Sequence, residues 1–292
     1  MDGRNLLAKA QKEEQGASGG FSWFGGNKQD KIEQAAELYA QAANAFRSAN
    51  QHQEAGAAFE KAAALSKQIG ENNDMAGHLV EAFKAYRLSD PAAAARCMRE
   101  ALGHYAITNI RRAAQNKQTL AEMLEQNPAM KVEAIKEFNE AADWFRNDNA
   151  EALANKNYIK AADLSAEVGD YHTAIAKYEE VANASTNNNL MKWSVKDYLF
   201  KSALCHLATM DVVAAKRAIL QVYPNMDAAF SPPAMEAIFL HNLLECVEEK
   251  EQQKFFQNVM QYKERYPLDN WKLDILAKIQ NTIEKGADDE LL

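Results

Sequence analysis

Small and aromatic residues recur through the middle of the chain at a fixed interval. Between positions 133 and 182, an aromatic residue with alanines four positions before it and three or four after it occurs three times, at Phe138, Tyr158 and Tyr178. Residues with these spacings lie on one face of an α-helix. The pattern therefore predicts one helix for each unit, with every ring packed against the alanines of its neighbours.

The same pattern extends in both directions. It occurs around Tyr39 and Phe59, Leu79 and Met98 hold the slots that follow, and a further step forward reaches Tyr198. Two helices of about twenty residues make a repeat of about forty, which lies among the lengths of tetratricopeptide and armadillo-like arrays. We predict an all-α fold that begins as a twisted array of antiparallel helical hairpins, a tetratricopeptide-like solenoid.

The period is lost after Pro224, and Ser231-Pro232-Pro233 interrupts the helical pattern that follows. We predict an array over residues 1–223 and a small C-terminal helical bundle over residues 224–292. The bundle is expected to contain three helices, Ala234–Glu249, Glu251–Tyr266 and Asp269–Glu284. Gly286 should end the last of them, which leaves an acidic tail at 286–292.

Composition and charge restrict the possible functions. With 47% hydrophobic and 25% charged residues the chain is typical of soluble proteins. It contains no apolar run long enough to span a bilayer and no signal peptide, so we expect a cytoplasmic protein. Cys97, Cys205 and Cys246 are few and far apart, which favours buried thiols over disulfides or a zinc site. The net charge of −8 argues against binding to nucleic acid.

Charged residues are unevenly distributed along the sequence. From Glu236 to the end there are twelve acidic and seven basic residues. Basic residues recur instead through the middle helices, at Arg111, Arg112, Lys117, Lys156, Lys160, Lys192 and Lys196. Solvated helix faces would produce much the same distribution, so charge alone does not identify a binding surface.

An apolar segment near the N-terminus interrupts the helical pattern. Glycines flank the rings of Phe21, Trp23 and Phe24, so we predict a mobile loop at about 16–26. The rings have two possible destinations. They fold back onto the first helices, or they stay exposed and enter a membrane surface or a partner.

No catalytic chemistry is recognisable. The six histidines are widely spaced, no Cys or Asp cluster has metal-ligand spacing, and neither a phosphate-binding loop nor a Gly-x-Ser-x-Gly motif occurs. We therefore predict no catalytic residue, metal or cofactor, and a protein that is not an enzyme.

Several segments together resemble one family over nearly the whole length of the chain. They are Phe21-Ser22-Trp23-Phe24-Gly25-Gly26, Arg111-Arg112-Ala113-Ala114, Ala154-Asn155-Lys156 with Lys160, Trp193-Ser194-Val195-Lys196-Asp197-Tyr198, Ala203-Leu204-Cys205-His206, Leu268-Asp269-Asn270-Trp271 and the closing acids with Leu291. The sequence resembles the alpha-SNAP family, the soluble NSF attachment proteins, and its end in two leucines is most similar to the fungal members.

The resemblance implies an adaptor of vesicle-mediated transport, peripherally associated with membranes. Such an adaptor binds the four-helix bundle of syntaxin-like and other SNAREs after fusion, and it recruits and stimulates the hexameric AAA ATPase NSF, which disassembles the bundle. The implied SNARE contacts are Lys156, Lys160 and Lys196, with Arg111, Arg112, Lys117 and Lys192 nearby. The implied membrane contacts are Phe21, Trp23 and Phe24. The implied ATPase contacts are Asp211, Glu245, Glu248 and Glu249, with Leu291 stimulating hydrolysis.

Two other classes of function remain alternatives. A generic tetratricopeptide-type scaffold would hold the peptide tails of partner proteins, and it would need paired Lys and Asn residues that clamp a carboxylate in one groove. An enzyme with an unrecognised site would need converging polar residues, which the sequence does not reveal.

Overall fold

The structure is a computed structural model, and it describes residues 2–18, 28–186, 188 and 191–288. These residues form fourteen α-helices and contain no strand, which confirms the prediction of an all-α fold built from helical hairpins. The helices are α1 (Gly3–Ser18), α2 (Lys28–Ser48), α3 (His52–Gln68), α4 (Asn72–Tyr86), α5 (Pro91–Thr108), α6 (Ile110–Leu124), α7 (Lys131–Asn147), α8 (Glu151–Glu167), α9 (Tyr171–Thr186), α10 (Val195–Ala208), α11 (Val212–Arg217), α12 (Met235–Glu248), α13 (Gln252–Lys263) and α14 (Asn270–Asp288).

Left-handed residues end several of these helices and allow the chain to reverse. Gly70 and Gly169 have φ of 83° and 89°, and Asn50, Asn149 and Lys250 have φ between 55° and 58°. In each case the next residue donates its N–H to a carbonyl of the last helical turn at 2.8–2.9 Å. This satisfies backbone groups that a helix end leaves unpaired. At these five turns the chain reverses between two helices that pack against each other.

Two helix ends differ from the sequence prediction. Helix α1 continues to Ser18, so residues 16–18 of the predicted loop are helical. Helix α14 continues to Asp288, past Gly286, where the sequence predicted its end. A helix tolerates an internal glycine at a cost of about 1 kcal/mol, so glycine alone does not terminate it.

The contacts between Cα atoms divide the chain into two compact units, Met1–Gln126 and Asn127–Leu292. In the first unit each of the helices α1 to α5 packs against the next. Tyr39 and Phe59 are buried there among alanines, as the repeat predicts. Gly56 allows a close approach, because a Cβ at that position would lie 2.4 Å from the Tyr86 ring.

In the second unit, hairpins formed by α7 to α10 precede the C-terminal helices. The rings of Phe138, Tyr158 and Tyr178 are buried, which confirms the core role predicted for the repeat. One hydrophobic core extends from Ala162 to Ile283 and includes side chains of α8, α9, α10 and the later helices. Residues on both sides of Pro224 therefore share this core, and the domain boundary near Pro224 stays a prediction.

Cys97, Cys205 and Cys246 have free thiols, and all three are buried, as the sequence predicts. Burial raises the pKa of the Cys97 thiol to about 12, so this thiol stays protonated at neutral pH. None of the helices within the described ranges is long and apolar enough to cross a membrane. In the same part of the chain, no three His, Cys, Asp or Glu side chains are grouped so that they could hold a metal ion.

Candidate functional site

Helix α8 presents two of the predicted SNARE-binding lysines to solvent. Lys156 and Lys160 are exposed and four residues apart, so they lie on one face of the helix. The opposite face buries Ala154, Tyr158 and Ala161 in the core. The helix thus uses its apolar stripe for packing and leaves both lysine side chains exposed at the surface.

The connection into α10 carries a second pair of exposed lysines. Lys192 opens a short 3₁₀ turn, and Lys196 lies in the first turn of α10. Asn155 donates a hydrogen bond from Nδ2 to Sδ of Met191 at 3.4 Å. Because Asn155 precedes Lys156 and Met191 precedes Lys192, this contact brings the two lysine pairs to one region. We call Lys156, Lys160, Lys192 and Lys196 the lysine surface.

An exposed aromatic residue lies within the lysine surface. The Trp193 side chain is 81% exposed, and the Lys192 ammonium lies 5.5 Å from the centroid of its ring. A tryptophan this exposed leaves a large apolar area in water, which is typical of an interface. The sequence analysis named Trp193 only as part of a family motif and gave it no role. Its position in the break between two helices was the signal that could have identified it as exposed.

The remaining predicted SNARE contacts belong to α6, in the first unit. Arg111 and Arg112 are exposed at the start of this helix, where the Asn109 side chain accepts a hydrogen bond from the Arg112 N–H at 3.0 Å. The Arg112 guanidinium lies 4.3 Å from the Tyr105 ring. Lys117 differs from these residues, because it is only 7% exposed. A direct contact of Lys117 with SNAREs stays a prediction.

A buried polar cluster fixes α8 behind the lysine surface. Oδ1 of Asp163 lies 2.8 Å from Nζ of Lys201 and accepts a hydrogen bond from the Tyr178 hydroxyl at 2.5 Å. The indole of Trp271 donates to the backbone carbonyl of Asp163 at 3.1 Å. Burial raises the pKa of Asp163, although the Lys201 ammonium opposes this shift. The cluster joins α8 to α9, α10 and α14.

The predicted ATPase contacts lie on α11 and α12. The carboxylate of Asp211 caps α11 by accepting from the Ala214 N–H at 2.9 Å. Glu245, Glu248 and Glu249 are exposed at the end of α12, and Glu248 forms a 2.5 Å ion pair with Lys216 of α11. This pair brings the end of α12 beside α11. We call Asp211, Glu245, Glu248 and Glu249 the acidic surface.

The acidic surface is not explained by helix stability. Acidic side chains at the end of a helix face the negative pole of the helix dipole, which disfavours them. Partial compensation comes from Lys216, 2.5 Å from Glu248, and from Lys254, 3.3 Å from Glu249. Val213 is exposed nearby on α11. The helix dipole alone therefore does not explain why carboxylates cluster at this helix end.

Four predicted contacts lie outside the described residues. They are Phe21, Trp23, Phe24 and Leu291. Their roles stay predictions from the sequence.

The described residues form an all-α protein that carries the lysine surface and the acidic surface on exposed faces of its helices. The family model of soluble NSF attachment proteins, SNAP, matches residues 1–284. A probable vesicular-fusion protein, a sec17 homolog of Neurospora crassa, is 44% identical over 292 residues, 99% of each chain. A sec17 homolog of Schizosaccharomyces pombe is 41% identical over 99% of this chain and 98% of its own. The human alpha-soluble NSF attachment protein is 35% identical over 97% and 95%, respectively.

The chain belongs to the soluble NSF attachment protein family. This confirms the resemblance predicted from the sequence and the predicted function as an adaptor of vesicular fusion. The relatives carry the names of attachment and vesicular-fusion proteins, and the prediction that this chain has no enzymatic activity of its own stays a prediction.

Proposed function

We propose that this protein binds assembled SNARE bundles through the lysine surface and presents the acidic surface to an NSF-type hexameric ATPase, which then takes the bundle apart. The observation that carries the proposal is the lysine surface itself, on a chain of the soluble NSF attachment protein family. Two lysines of α8 and two lysines near the start of α10 are exposed together, while the opposite face of α8 is buried.

The two surfaces suit partners of opposite charge. Ammonium groups at the lysine surface attract an acidic helical bundle, and the carboxylates of the acidic surface attract basic residues. Charged surfaces of this kind increase the rate of association with a partner and determine how the partner is oriented. Added salt weakens these electrostatic interactions. The adaptor therefore holds substrate and motor through separate parts of one chain.

The lysine surface is tested by charge reversal in α8. Lys156→Glu with Lys160→Glu should leave the fold intact, because both side chains are exposed. Each reversal against an acidic partner costs about 1 kcal/mol or more, so affinity for a soluble SNARE bundle should fall roughly thirtyfold at low salt. The measurement is a titration of the bundle by fluorescence anisotropy.

Lys61→Glu with Lys263→Glu is the matched control for that test. Both residues are exposed lysines outside the predicted contacts, so the net charge changes equally. If the control and the α8 variant weakened binding to the same degree, or if the α8 variant bound as tightly as the unmodified chain, the lysine surface would not be the SNARE contact.

We propose further that Phe21, Trp23 and Phe24 attach the protein to membranes, which would make it a peripheral membrane protein. Burial of one ring contributes at most about 1.5–3 kcal/mol, so three rings give weak and reversible attachment. Changing all three residues to serine should slow disassembly of SNARE bundles held in liposomes and leave disassembly of soluble SNARE fragments nearly unchanged. Equal rates on the two substrates for this variant would instead mean that the rings pack within the protein.

A further inference from the structure

We propose that Glu236 limits the affinity of the lysine surface for SNARE bundles by holding Lys196 in an internal ion pair. The inference rests on the proposed function, because it assigns Lys196 to the SNARE contact. It adds a residue that weakens binding, at a position to which neither the sequence motifs nor the family resemblance gave a role.

The two partners of the ion pair differ in their exposure to solvent. Nζ of Lys196 lies 2.7 Å from Oε1 of Glu236, and the two side chains are 50% and 19% exposed. Glu236 lies in the first turn of α12, where the positive pole of the helix dipole favours a carboxylate. The carboxylate is therefore held by its own helix, and the longer, more exposed lysine side chain reaches to it.

A second ion pair, between Lys272 and Asp197, lies beside the pair of Lys196 with Glu236, and the two pairs differ in their surroundings. Both pairs line a pocket of about 250 Å³ whose apolar wall includes Phe200, Tyr262 and Tyr266. Nζ of Lys272 lies 2.6 Å from Asp197 and 3.1 Å from Asp269, and its side chain is only 13% exposed. Lys272 is thus a structural cation enclosed by two carboxylates. Lys196 is at the rim, where a partner can reach it.

An acidic partner must compete with Glu236 for Lys196. While the ion pair is intact, the partner meets a cation whose charge is cancelled by a carboxylate 2.7 Å away. To bind the ammonium group, the partner must first break this ion pair, and that cost weakens binding. Neutralising Glu236 should therefore strengthen it.

The test is a double-mutant cycle with the full chain and an assembled soluble SNARE bundle at low salt. Glu236→Gln keeps the shape of the side chain and removes its charge. Exposed ion pairs are weak, so we expect the affinity of this variant for the bundle to rise about two- to fivefold. In a Lys196→Ala background the same change should leave affinity unaltered, because no ammonium group remains to be released.

Glu100→Gln is the matched control, because it removes one carboxylate from an exposed pair with Lys67 at 2.8 Å, a lysine outside the predicted contacts. This control should bind like the unmodified chain, and thermal melting verifies that every variant is folded. An unchanged or lower affinity of Glu236→Gln overturns the inference. An equal rise in affinity with and without Lys196 also overturns it. Glu236 would then act through the overall electrostatic potential of the protein and not through its ion pair with Lys196.

The inference and the proposed function fail in different ways. If Lys156→Glu with Lys160→Glu does not weaken binding, the lysine surface is not the SNARE contact, and both are wrong. If that change weakens binding while Glu236→Gln has no effect, the inference alone is wrong.

Discussion

At the residue scale, buried tyrosines are held by carboxylates of other helices. The hydroxyl of each donates a hydrogen bond across a helix interface, in the pairs Tyr39–Glu14 (2.5 Å), Tyr86–Glu60 (2.9 Å), Tyr178–Asp163 (2.5 Å), Tyr223–Glu179 (2.6 Å) and Tyr158–Asp143. Burial raises the pKa of each of these phenols, and the neighbouring carboxylate raises it further. The phenols are therefore protonated donors in the folded state.

The raised pKa values of these phenols predict that the protein loses stability in alkaline solution. Their folded pKa lies above the unfolded value of about 10, so their contribution is complete below pH ~10 and is lost as pH rises above it. The free energy of unfolding, measured by urea titration at several pH values, should fall above pH ~10. Tyr178→Phe removes one such phenol and should make the fall shallower. A variant with the same slope as the unmodified chain would contradict this explanation.

At the element scale, α14 is fastened to α8, the helix that carries Lys156 and Lys160. The Trp271 indole donates to the Asp163 carbonyl, and Nζ of Lys278 donates to the Glu167 carbonyl at 2.7 Å. Glu167 is the last residue of α8, where a carbonyl has no partner within the helix and a cation is favoured.

This attachment predicts a measurable loss of stability when it is removed. Lys278→Ala should lower the free energy of unfolding by about 1–2 kcal/mol, since it removes a charged hydrogen bond to the end of a helix. Urea unfolding followed by circular dichroism measures the change. Lys263→Ala, at an exposed position of α13, should stay within about 0.5 kcal/mol. Equal values for the two variants would show that the Lys278 contact contributes nothing.

The same elements show what a sequence can predict. Helices and their order follow from local information, because the repeat spacing and helix-start residues such as Asp90-Pro91 involve residues that are close in sequence. The Asp90 carboxylate indeed accepts a hydrogen bond from the Ala93 N–H at 3.0 Å. Pairs such as Lys278 with Glu167, 111 residues apart, have no local signal. Lys117 shows a second limit. A charged side chain is expected to be exposed, but the fold encloses the side chain of Lys117.

The candidate site divides in the same way. The spacing of Lys156 and Lys160 placed them on one face, and the structure shows both exposed. The ion pair between Lys196 and Glu236 spans 40 residues, so only the packing of α10 near α12 reveals it. Local patterns therefore predicted which residues carry charge, and the tertiary fold determines which charges are available to a partner.

At the scale of the whole molecule, the excess of acidic residues is concentrated towards the end of the chain. The net charge is −8, and the segment from Glu236 to Leu292 carries seven basic and twelve acidic residues, a net charge of −5 (7 − 12). The predicted SNARE-binding cations all precede this segment. Separate positions for the predicted cations and for most of the predicted ATPase contacts suit an adaptor, because substrate and motor must bind at the same time without competing for one surface.

The last step of the proposed function depends on the end of the chain. Family resemblance assigns Leu291 to stimulation of the ATPase, and the backbone of α14 continues to Asp288, three residues before it. Leu291→Ala with Leu292→Ala should keep SNARE binding and recruitment of the ATPase, since those depend on the lysine and acidic surfaces. It should lower the stimulated rate of ATP hydrolysis and of disassembly, measured in the ternary complex. Leu88→Ala, at an exposed leucine elsewhere, is the control and should leave both rates unchanged. Hydrolysis at the unmodified rate by the double variant would mean that the two leucines only end the chain.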